Sequence, residues 1–600
     1  MVSFDRPARP LSDRTARRVH ARSDARPFAG LVTALFTLLC LHATSALADP
    51  SRAASGSASS PGKRLVDRIA VAGEPLTATA LDGSATSAGT FGERHRRLAE
   101  HGVWLDIAGP SPNAVRLLER IADAGAHGLD PDRYDLDGLR ESLATTFERP
   151  RSHAPPRLDS PERAALAYRF GRAFTRLATD LGRGLVDART VQKRLYRDRL
   201  DPDIDTLRQA LVRGDLDVDD ALDAAAPTHE RYLRLVDTTR KLLAERESGG
   251  TRTSVDASGS LQAGQRHDDV VRLKRRLIET GDLPTDAAIT PMFGDELVVA
   301  IEAFRKRHGV PRSGSVDRRT RTALNRTIVN DLDDLAMSLE RWRWMPRELG
   351  KRHVFVNLPD YRLTVRDGAR RIVDMAVVIG STEHPTPSFS RDMSYLEFNP
   401  TWTVPASIAH RELLPLEREN PGYLRSQNFD FLEVVDGKLE RVPYDSVSRE
   451  DLALRPFPYT LRQHGGGSNA LGRMKFMMPN PYAIYLHDTP AKRHFTLRDR
   501  AYSHGCIRLS DPDRLATLLL QIDGRSHERV RSLIESPTTR RAGLRTPIPT
   551  HLAYFTTWVD DDGNLQRRAD VYGHDPALRA ALEADGSLPS TRLAGTRPPG

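Results

Sequence analysis

The 600-residue sequence predicts a multidomain chain: a helical N-terminal scaffold and a three-helix module, then a mainly β, sandwich-like domain with an inserted lid subdomain. Three observations carry this reading. Apolar residues recur at spacings of three and four through most of the first half, the helical period. Stretches rich in Gly, Ser and Thr divide the periodic segments. From Arg352 onward the pattern changes to short runs of β-branched and aromatic residues bounded by turn signals. The length suits three or four domains, each able to bury its own core.

The N-terminus comes first. Residues 1–26 hold seven arginines and three aspartates, and the uncharged run Pro27 to Ala48 ends in Ala46-Leu47-Ala48. A basic stretch, an apolar stretch and a small-x-small site make an export signal over 1–48, cleaved or retained as an anchor. Cys40 lies inside it behind Leu39, which is too large for a lipidation site, and Arg17-Arg18 lacks the flank of a twin-arginine signal. Residues 49–92 read as a flexible tether. A helical scaffold follows over 93–247, with Val115, Leu117, Leu118 and Ile121 on one stripe and Phe170, Phe174 and Leu177 on another. Gly128-Leu129-Asp130-Pro131 and the Pro-rich stretch Pro150 to Pro161 interrupt it.

After a linker at 248–262, residues 263–328 read as the three-helix module. Val270, Leu273, Leu277 and Ile278 mark one amphipathic helix ending at Gly281, and Leu297, Val298, Ile301 and Phe304 mark a second closing at Gly309. The mainly β domain spans 352–530. His353 to Leu358, Tyr361 to Val365 and Ile372 to Gly380 read as strands, the last two joined at Asp367-Gly368. Ser407 to Glu419 reads as helical and 420–470 as irregular, so a lid insertion is expected over about 406–468. The run Gly465-Gly466-Gly467 is followed by no Lys-Ser/Thr pair, so it suits a hinge better than a phosphate cradle. Residues 531–600 form a C-terminal extension whose 552–573 segment is expected to add edge strands to the same sheet.

Charge and cysteine content narrow the function. Net charge is +9, and residues 1–48 contribute seven positive and three negative charges, leaving about +5 for the remainder. A surplus this dilute excludes a nucleic-acid stripe and suits an anionic polymer or a membrane surface. Only Cys506 remains beyond the leader, so no disulfide forms within the chain. It sits in Ser503-His504-Gly505-Cys506-Ile507-Arg508, and His487 follows the strand Ala483 to Leu486. A cysteine attacks carbonyls as thiolate, with an imidazole in reach to take its proton. His487, from a neighbouring strand, is expected to be that base. His504, two residues before Cys506, would share its face on an extended strand and support the site or an oxyanion. Backbone N–H groups at Gly505 and Cys506 are expected to face a tetrahedral oxyanion. Arg508 is placed to bind a substrate carboxylate. Together His487, His504, Cys506 and Asp488 also offer donors for zinc, although zinc sites usually show tighter spacing.

The segment from Ser503 to Arg508, preceded by His487, resembles the signature of the L,D-transpeptidase (YkuD-type) catalytic domain. Asn469-Ala470-Leu471-Gly472, Ile484-Tyr485-Leu486-His487-Asp488-Thr489, Asn399-Pro400-x-Trp402-x-Val404-Pro405 and Ala126-His127-Gly128-Leu129-Asp130-Pro131 are similar to its large YcbB-like subgroup. Gly314-Ser315-Val316-Asp317 leading into Thr320 to Asn325 resembles the turn and last helix of a peptidoglycan-binding repeat. The resemblance covers roughly 100–575 and departs at His464-Gly465-Gly466-Gly467, where Pro-Gly is usual. It implies Cys506 as nucleophile and His487 as general base, with Ser503, His504, Gly505 and Arg508 completing the motif and Tyr485 and Asp488 beside it.

The implied activity is formation of 3→3 peptidoglycan cross-links between diaminopimelate residues through a cysteine acyl-enzyme. No cofactor or metal is expected. The implied partners are stem peptides and glycan, with peptidoglycan synthases and carboxypeptidases supplying substrate, in the periplasm. An L,D-carboxypeptidase, a wall-binding scaffold and attachment of a protein lysine remain open alternatives.

Overall fold

Helices begin where the sequence supplies a capping oxygen followed by proline. The computed structural model describes residues 100–147, 160–197, 200–256 and 259–590. In it α1 (Pro112–Ala122), α2 (Leu136–Phe147) and α3 (Pro161–Arg183) open the scaffold, and Ser111 and Ser160 cap the first and third. Each hydroxyl accepts a backbone N–H that the helix leaves unpaired, and proline gives up no hydrogen bond at a helix start. The expected export signal, the tether, residues 93–99 and most of the Pro-rich break lie outside the described residues. With α4 (Ile204–Arg213), α5 (Val218–Ala225) and α6 (Glu230–Glu247), the scaffold buries Trp104, Leu117, Ile121, Leu139, Phe170, Phe174 and Leu222. Each such side chain contributes about 1.5–3 kcal/mol when fully withdrawn from water. The scaffold is not wholly helical: β1 (Leu195–Tyr196) leaves it to pair with the large sheet described below.

In the three-helix module α7 (Asp268–Glu279), α8 (Asp295–Arg307) and α9 (Arg318–Leu324) enclose Leu273, Leu277, Leu297, Phe304 and Leu324. A short pair, β2 (Leu261–Gln262) with β3 (Ser315–Val316), ties its ends, and Val255 from the stretch read as a linker joins its core. Then comes α10 (Ile328–Arg343), which the sequence reading left unassigned. It carries an apolar stripe at helical spacing, Ile328, Leu332, Leu335, Leu339 and Trp342, and buries charged residues of its other faces as well. Leu335, Leu339 and Trp342 on it join Tyr232 and Leu235 of the scaffold to Phe355 and Phe555 of the sheet. Glu340 and Arg343 form a fully buried ion pair at 2.9 Å, and Glu340 also accepts the Val186 N–H at 2.9 Å. Gly184 makes room for that carboxylate: its φ is +85°, and a Cβ would lie 2.5 Å from the Glu340 oxygen.

The large sheet starts as a meander, β4 (Arg352–Asn357), β5 (Arg362–Asp367) and β6 (Arg370–Gly380), antiparallel throughout. Beyond it lie β7 (Ser388–Phe398), β12 (Met474–Met477), β13 (Leu486–His487), β14 (Ala501–Ser503), β15 (Ile507–Leu509) and β16 (Arg540–Ala553). The order is β1-β7-β12-β13-β15-β6-β5-β4-β16, with β14 also on β6. Because β16 pairs with both β4 and β7, the path returns on itself around a core of Val356, Leu363, Val377, Phe389, Leu396, Phe476, Leu486 and Ile507. Helices α11 (Pro512–Ile522) and α12 (His527–Ile534) close that core with Leu515, Leu519, Val530 and Leu533.

Two expectations need correction. Segment 420–470 is not irregular: β9 (Phe429–Val435), β10 (Lys438–Val442) and β11 (Thr460–Gln463) join β8 (Trp402–Thr403) in a second sheet, ordered β10-β9-β11-β8. Its Val404, Leu413, Leu414, Phe431 and Leu461 bury a core of their own, and charged residues on an exposed hairpin had masked the alternation. The 552–573 segment does not extend the large sheet at its edge. β17 (Thr557–Val559) and β18 (Leu565–Arg567) pair only with each other, while β16, upstream, is the strand that belongs to the large sheet. No helix among the described residues is long and apolar enough to cross a membrane.

Candidate active site

The site grows from two short parallel strands. In β13 and β15 Leu486 lies opposite Ile507 and His487 opposite Arg508, and the Ile507 N–H donates to the Tyr485 carbonyl at 3.1 Å. Leu486 and Ile507 are fully buried in the core, so alternation sends His487 and Arg508 to the other face. Tyr485 and Cys506 immediately precede that pair, and all four residues singled out by sequence come together.

Between β14 and β15 the backbone bends. Gly505 has φ +112°, a conformation that side chains disfavour, and a Cβ there would press on Ile484 at 3.2 Å. His504 and Cys506 therefore do not share the face of an extended strand, contrary to expectation. Ser503 is buried and staples the bend: its hydroxyl donates to the Cys506 carbonyl at 2.5 Å and accepts the Gly505 N–H at 3.1 Å. The Gly505 N–H is thus already engaged and does not face an oxyanion as expected. The Thr386 hydroxyl fixes the Gly505 carbonyl from outside at 2.7 Å.

The sulfur of Cys506 has a defined surrounding. Its S–H is directed at the Ala483 carbonyl, 3.7 Å away, and the main-chain N–H and hydroxyl of Tyr485 donate to it. Burial pushes the thiol above its ordinary range, opposed by the Tyr485 donors and by the positive charges of Lys475 and Arg508. Burial, reinforced by the nearby sulfur, raises the Tyr485 phenol, which stays a donor at all ordinary pH.

His487 is 5% exposed, and its Nδ1 lies 2.5 Å from the Asp488 main-chain carbonyl. A carbonyl only accepts, so Nδ1 carries the proton and Nε2 is the basic nitrogen. Burial, then the Arg508 charge, lowers this imidazole to about 3, so it is neutral at physiological pH. Asp488, expected to support the site, turns its carboxylate elsewhere, accepting the Arg473 N–H at 2.9 Å and pairing with Lys492 at 2.6 Å. Only its carbonyl touches the histidine.

His504 faces the inserted subdomain. Its Nε2 lies 2.5 Å from the Glu412 carboxylate, and its ring is 5.0 Å from that of His384. The hydrogen bond from His504 holds Glu412 below its usual carboxylate range. Glu412 sits in the wide turn Ala409–Leu413, inside a helix interrupted by one extra residue per turn. Sequence reasoning missed it because nothing local distinguishes it from the other charges of that polar helix. Lys475 was missed as well; its ammonium stands 4.2 Å over the Tyr485 ring. Among the described residues no three His, Cys, Asp or Glu side chains are placed to share a metal ion.

Three regions of the chain match known domain families. Residues 351–539 match the L,D-transpeptidase catalytic domain (YkuD), residues 96–238 a scaffold domain, and residues 266–324 a "Putative peptidoglycan binding domain". A Haemophilus influenzae protein described as "Putative L,D-transpeptidase" is 33% identical over 252 residues, covering 42% of this chain and 50% of the relative. The matched stretch thus spans half of that relative's length. Among solved structures, an L,D-transpeptidase from Mycobacterium smegmatis matches 34% of this chain and 58% of its own at 11% identity and TM-score 0.16. One from Xylanimonas cellulosilytica matches 50% and 98% at 14% identity and TM-score 0.15. The 351–539 region of this chain belongs to the L,D-transpeptidase catalytic-domain family and is joined to a scaffold domain and a peptidoglycan-binding domain.

Proposed function

We propose that the protein forms 3→3 cross-links in peptidoglycan, with Cys506 as nucleophile and His487 as general acid–base. The observation that carries this reading is the fixed tautomer of His487, on the strand beside the thiol, with Nε2 left basic. The resting pair is neutral: a raised thiol and an imidazole lowered to about 3 do not exchange a proton beforehand. Proton transfer therefore accompanies attack, as in general base catalysis.

His487 Nε2 takes the thiol proton as sulfur adds to the L-centre carbonyl of diaminopimelate in a donor tetrapeptide. In this reading the Cys506 N–H and the Tyr485 hydroxyl, the latter turning from the sulfur, donate to the oxyanion. Collapse breaks the peptide bond, His487 returns the proton to the departing D-alanine amine, and a thioester remains. The side-chain amine of an acceptor diaminopimelate attacks that thioester, gives its proton to His487, and releases the thiol. In this reading Arg508 pairs with a substrate carboxylate, and the residues named need no metal or cofactor for these steps. The three-helix module holds glycan nearby and raises local substrate concentration. In this reading the leader pattern of residues 1–48 directs the chain to the periplasm, where synthases and carboxypeptidases supply uncross-linked glycan and tetrapeptide stems.

Mass spectrometry of reactions with a disaccharide-tetrapeptide tests the proposal. A stem dimer lighter by one D-alanine, made by wild type and not by Cys506→Ala, is the expected result. Tripeptide without dimer would instead identify a carboxypeptidase. No turnover with either protein would point to a wall-binding scaffold.

A further inference from the structure

The face of the sheet that carries His487 and Arg508 does not end there. Successive registers place Lys475 of β12 opposite His487, Glu397 of β7 opposite Lys475, and Arg541 of β16 opposite Glu397. Residues directly opposite one another share a face, so one row of side chains crosses five strands: Arg508, His487, Lys475, Glu397, Arg541. Beyond the imidazole its charges alternate, positive, negative, positive.

Two features separate this row from ordinary surface ion pairs. First, its central members are largely withdrawn from water: the Lys475 and Glu397 side chains are 18% and 21% exposed. Second, the Glu397 carboxylate lies 3.9 Å from Lys475 and 3.8 Å from Arg541, beyond hydrogen-bond distance of both. The two cations rest on aromatic rings, Lys475 at 4.2 Å over Tyr485 and Arg541 at 4.3 Å over Tyr395. Aromatic faces hold each cation in place while leaving its N–H groups free for another partner. Such a loosely closed pair, Lys475 and Glu397 withdrawn from water and Arg541 exposed at its edge, suits insertion of a group that bears both charges.

We propose that Lys475 and Glu397 bind the zwitterionic end of the donor stem's third residue, an ammonium and a carboxylate on one carbon, and so determine which stems acylate Cys506. The carboxylate meets Lys475 and the ammonium meets Glu397. This assignment rests on the proposed cross-linking function, and reach supports it. The two stereocentres of diaminopimelate are four carbon–carbon bonds apart, roughly 5 Å when extended. β12 lies two strand spacings from β15, roughly 10 Å, and the Lys475 side chain leans back toward the nucleophile over Tyr485. Burial lowers the Lys475 ammonium from its usual range, opposed first by the Glu397 carboxylate and then by the Cys506 sulfur, so Lys475 stands within electrostatic reach of both. A side chain projecting from the attacked residue along the row thus has its far end at the Lys475–Glu397 pair.

Three tetrapeptide stems test the inference on the full chain: diaminopimelate at position three, lysine (ammonium without carboxylate), and 2-aminopimelate (carboxylate without ammonium). The readout is kcat/KM for D-alanine release. Wild type should favour the diaminopimelate stem over each of the others by about 10- to 100-fold, the range of one charged hydrogen bond. Lys475→Gln should lower the diaminopimelate and 2-aminopimelate stems by that factor relative to the lysine stem, any loss common to all three reporting its charge beside the thiol. Glu397→Gln should lower the diaminopimelate and lysine stems and spare 2-aminopimelate. Lys475→Arg should retain the preference, which controls for lost packing or folding. Equal losses on all three stems in either Gln variant, or no preference in wild type, would overturn the proposal. If wild type releases D-alanine from none of them, the cross-linking function itself fails, and this assignment with it.

Discussion

The sheet that carries Cys506 and the subdomain inserted between β7 and β12 each present an acid–base contact to the catalytic motif, built on opposite terms. On the sheet side, His487 is 5% exposed, oriented by a main-chain carbonyl, and flanked by strands paired on both sides. On the subdomain side, Glu412 reaches His504 across a gap in sequence of 92 residues, with side-chain exposures of 26% and 29%. Its support is a separate core and a distorted helical turn. Under the proposed function, the difference gives chemistry to the sheet and access to the subdomain acting as a lid. A group that must keep one tautomer is fixed by backbone, whereas a group that only docks a lid needs a bond that can break.

The comparison can be broken most directly at the thiol. Cys506→Ala should abolish D-alanine release while leaving retention on insoluble peptidoglycan within about twofold, since the module does not use the sulfur; a pull-down assay reads both proteins side by side. His487→Asn should lower kcat/KM at pH 7 by about 10²–10⁴-fold, the usual value of a positioned base. Wild-type kcat/KM should stay level as pH falls from 6.5 toward 4 and drop only near His487's value of about 3. A drop centred near 6.5 would show that the imidazole is neither buried nor carbonyl-bound as described.

Acid should also loosen the sheet as a structure. Burial holds His353 at about 4 and His487 and His551 at about 3, well below their unfolded value of 6.5. Between those limits the unfolded chain binds protons that the native sheet does not, so stability falls as pH drops. Their contribution is complete above pH 6.5 and is lost progressively down to the folded values, at about 1.4 kcal/mol per unit for each group. Calorimetry from pH 7 to 4 should show Tm falling throughout, with a shallower slope in His551→Gln. A flat profile would contradict the burial of these rings.

The smallest effect belongs to the subdomain. Glu412→Gln keeps a hydrogen bond to His504 and removes its charge, so kcat/KM should fall by about 3- to 10-fold. Hydrogen exchange over residues 402–463 should quicken in that variant, with no change in β13 or β15. Quickened exchange across the sheet would mean that Glu412 is part of the frame and not a docking contact.

Much of the candidate site was legible without coordinates. The single cysteine beyond residue 48, a glycine beside it, and a histidine at the end of an alternating strand are local patterns, and local patterns survive in one dimension. So did the amphipathic helices of the scaffold and module, whose apolar stripes fall on buried or partly buried residues, the exposed Val115 excepted. Ser503 and Gly505 were recognised, but their tasks were not. The φ of +112° at Gly505 turns His504 away and commits the Gly505 N–H to Ser503, which no spacing rule reveals.

By itself the sequence determined which residues are candidates for the chemistry and which segments bury a face, because side-chain type and period are properties of neighbours along the chain. Tertiary structure alone decided the rest. Helix α10 buries its charged Asp333, Glu340, Arg341 and Arg343 together with its apolar stripe, and β1 pairs with a strand nearly two hundred residues away. Arg541, Glu397 and Lys475 align with His487 only through the registers of strands distant in sequence, and Glu412 meets His504 only once the subdomain has folded on its own core. Register and docking are set by the closure of the whole sheet, an energy shared among many strands and written in no single segment.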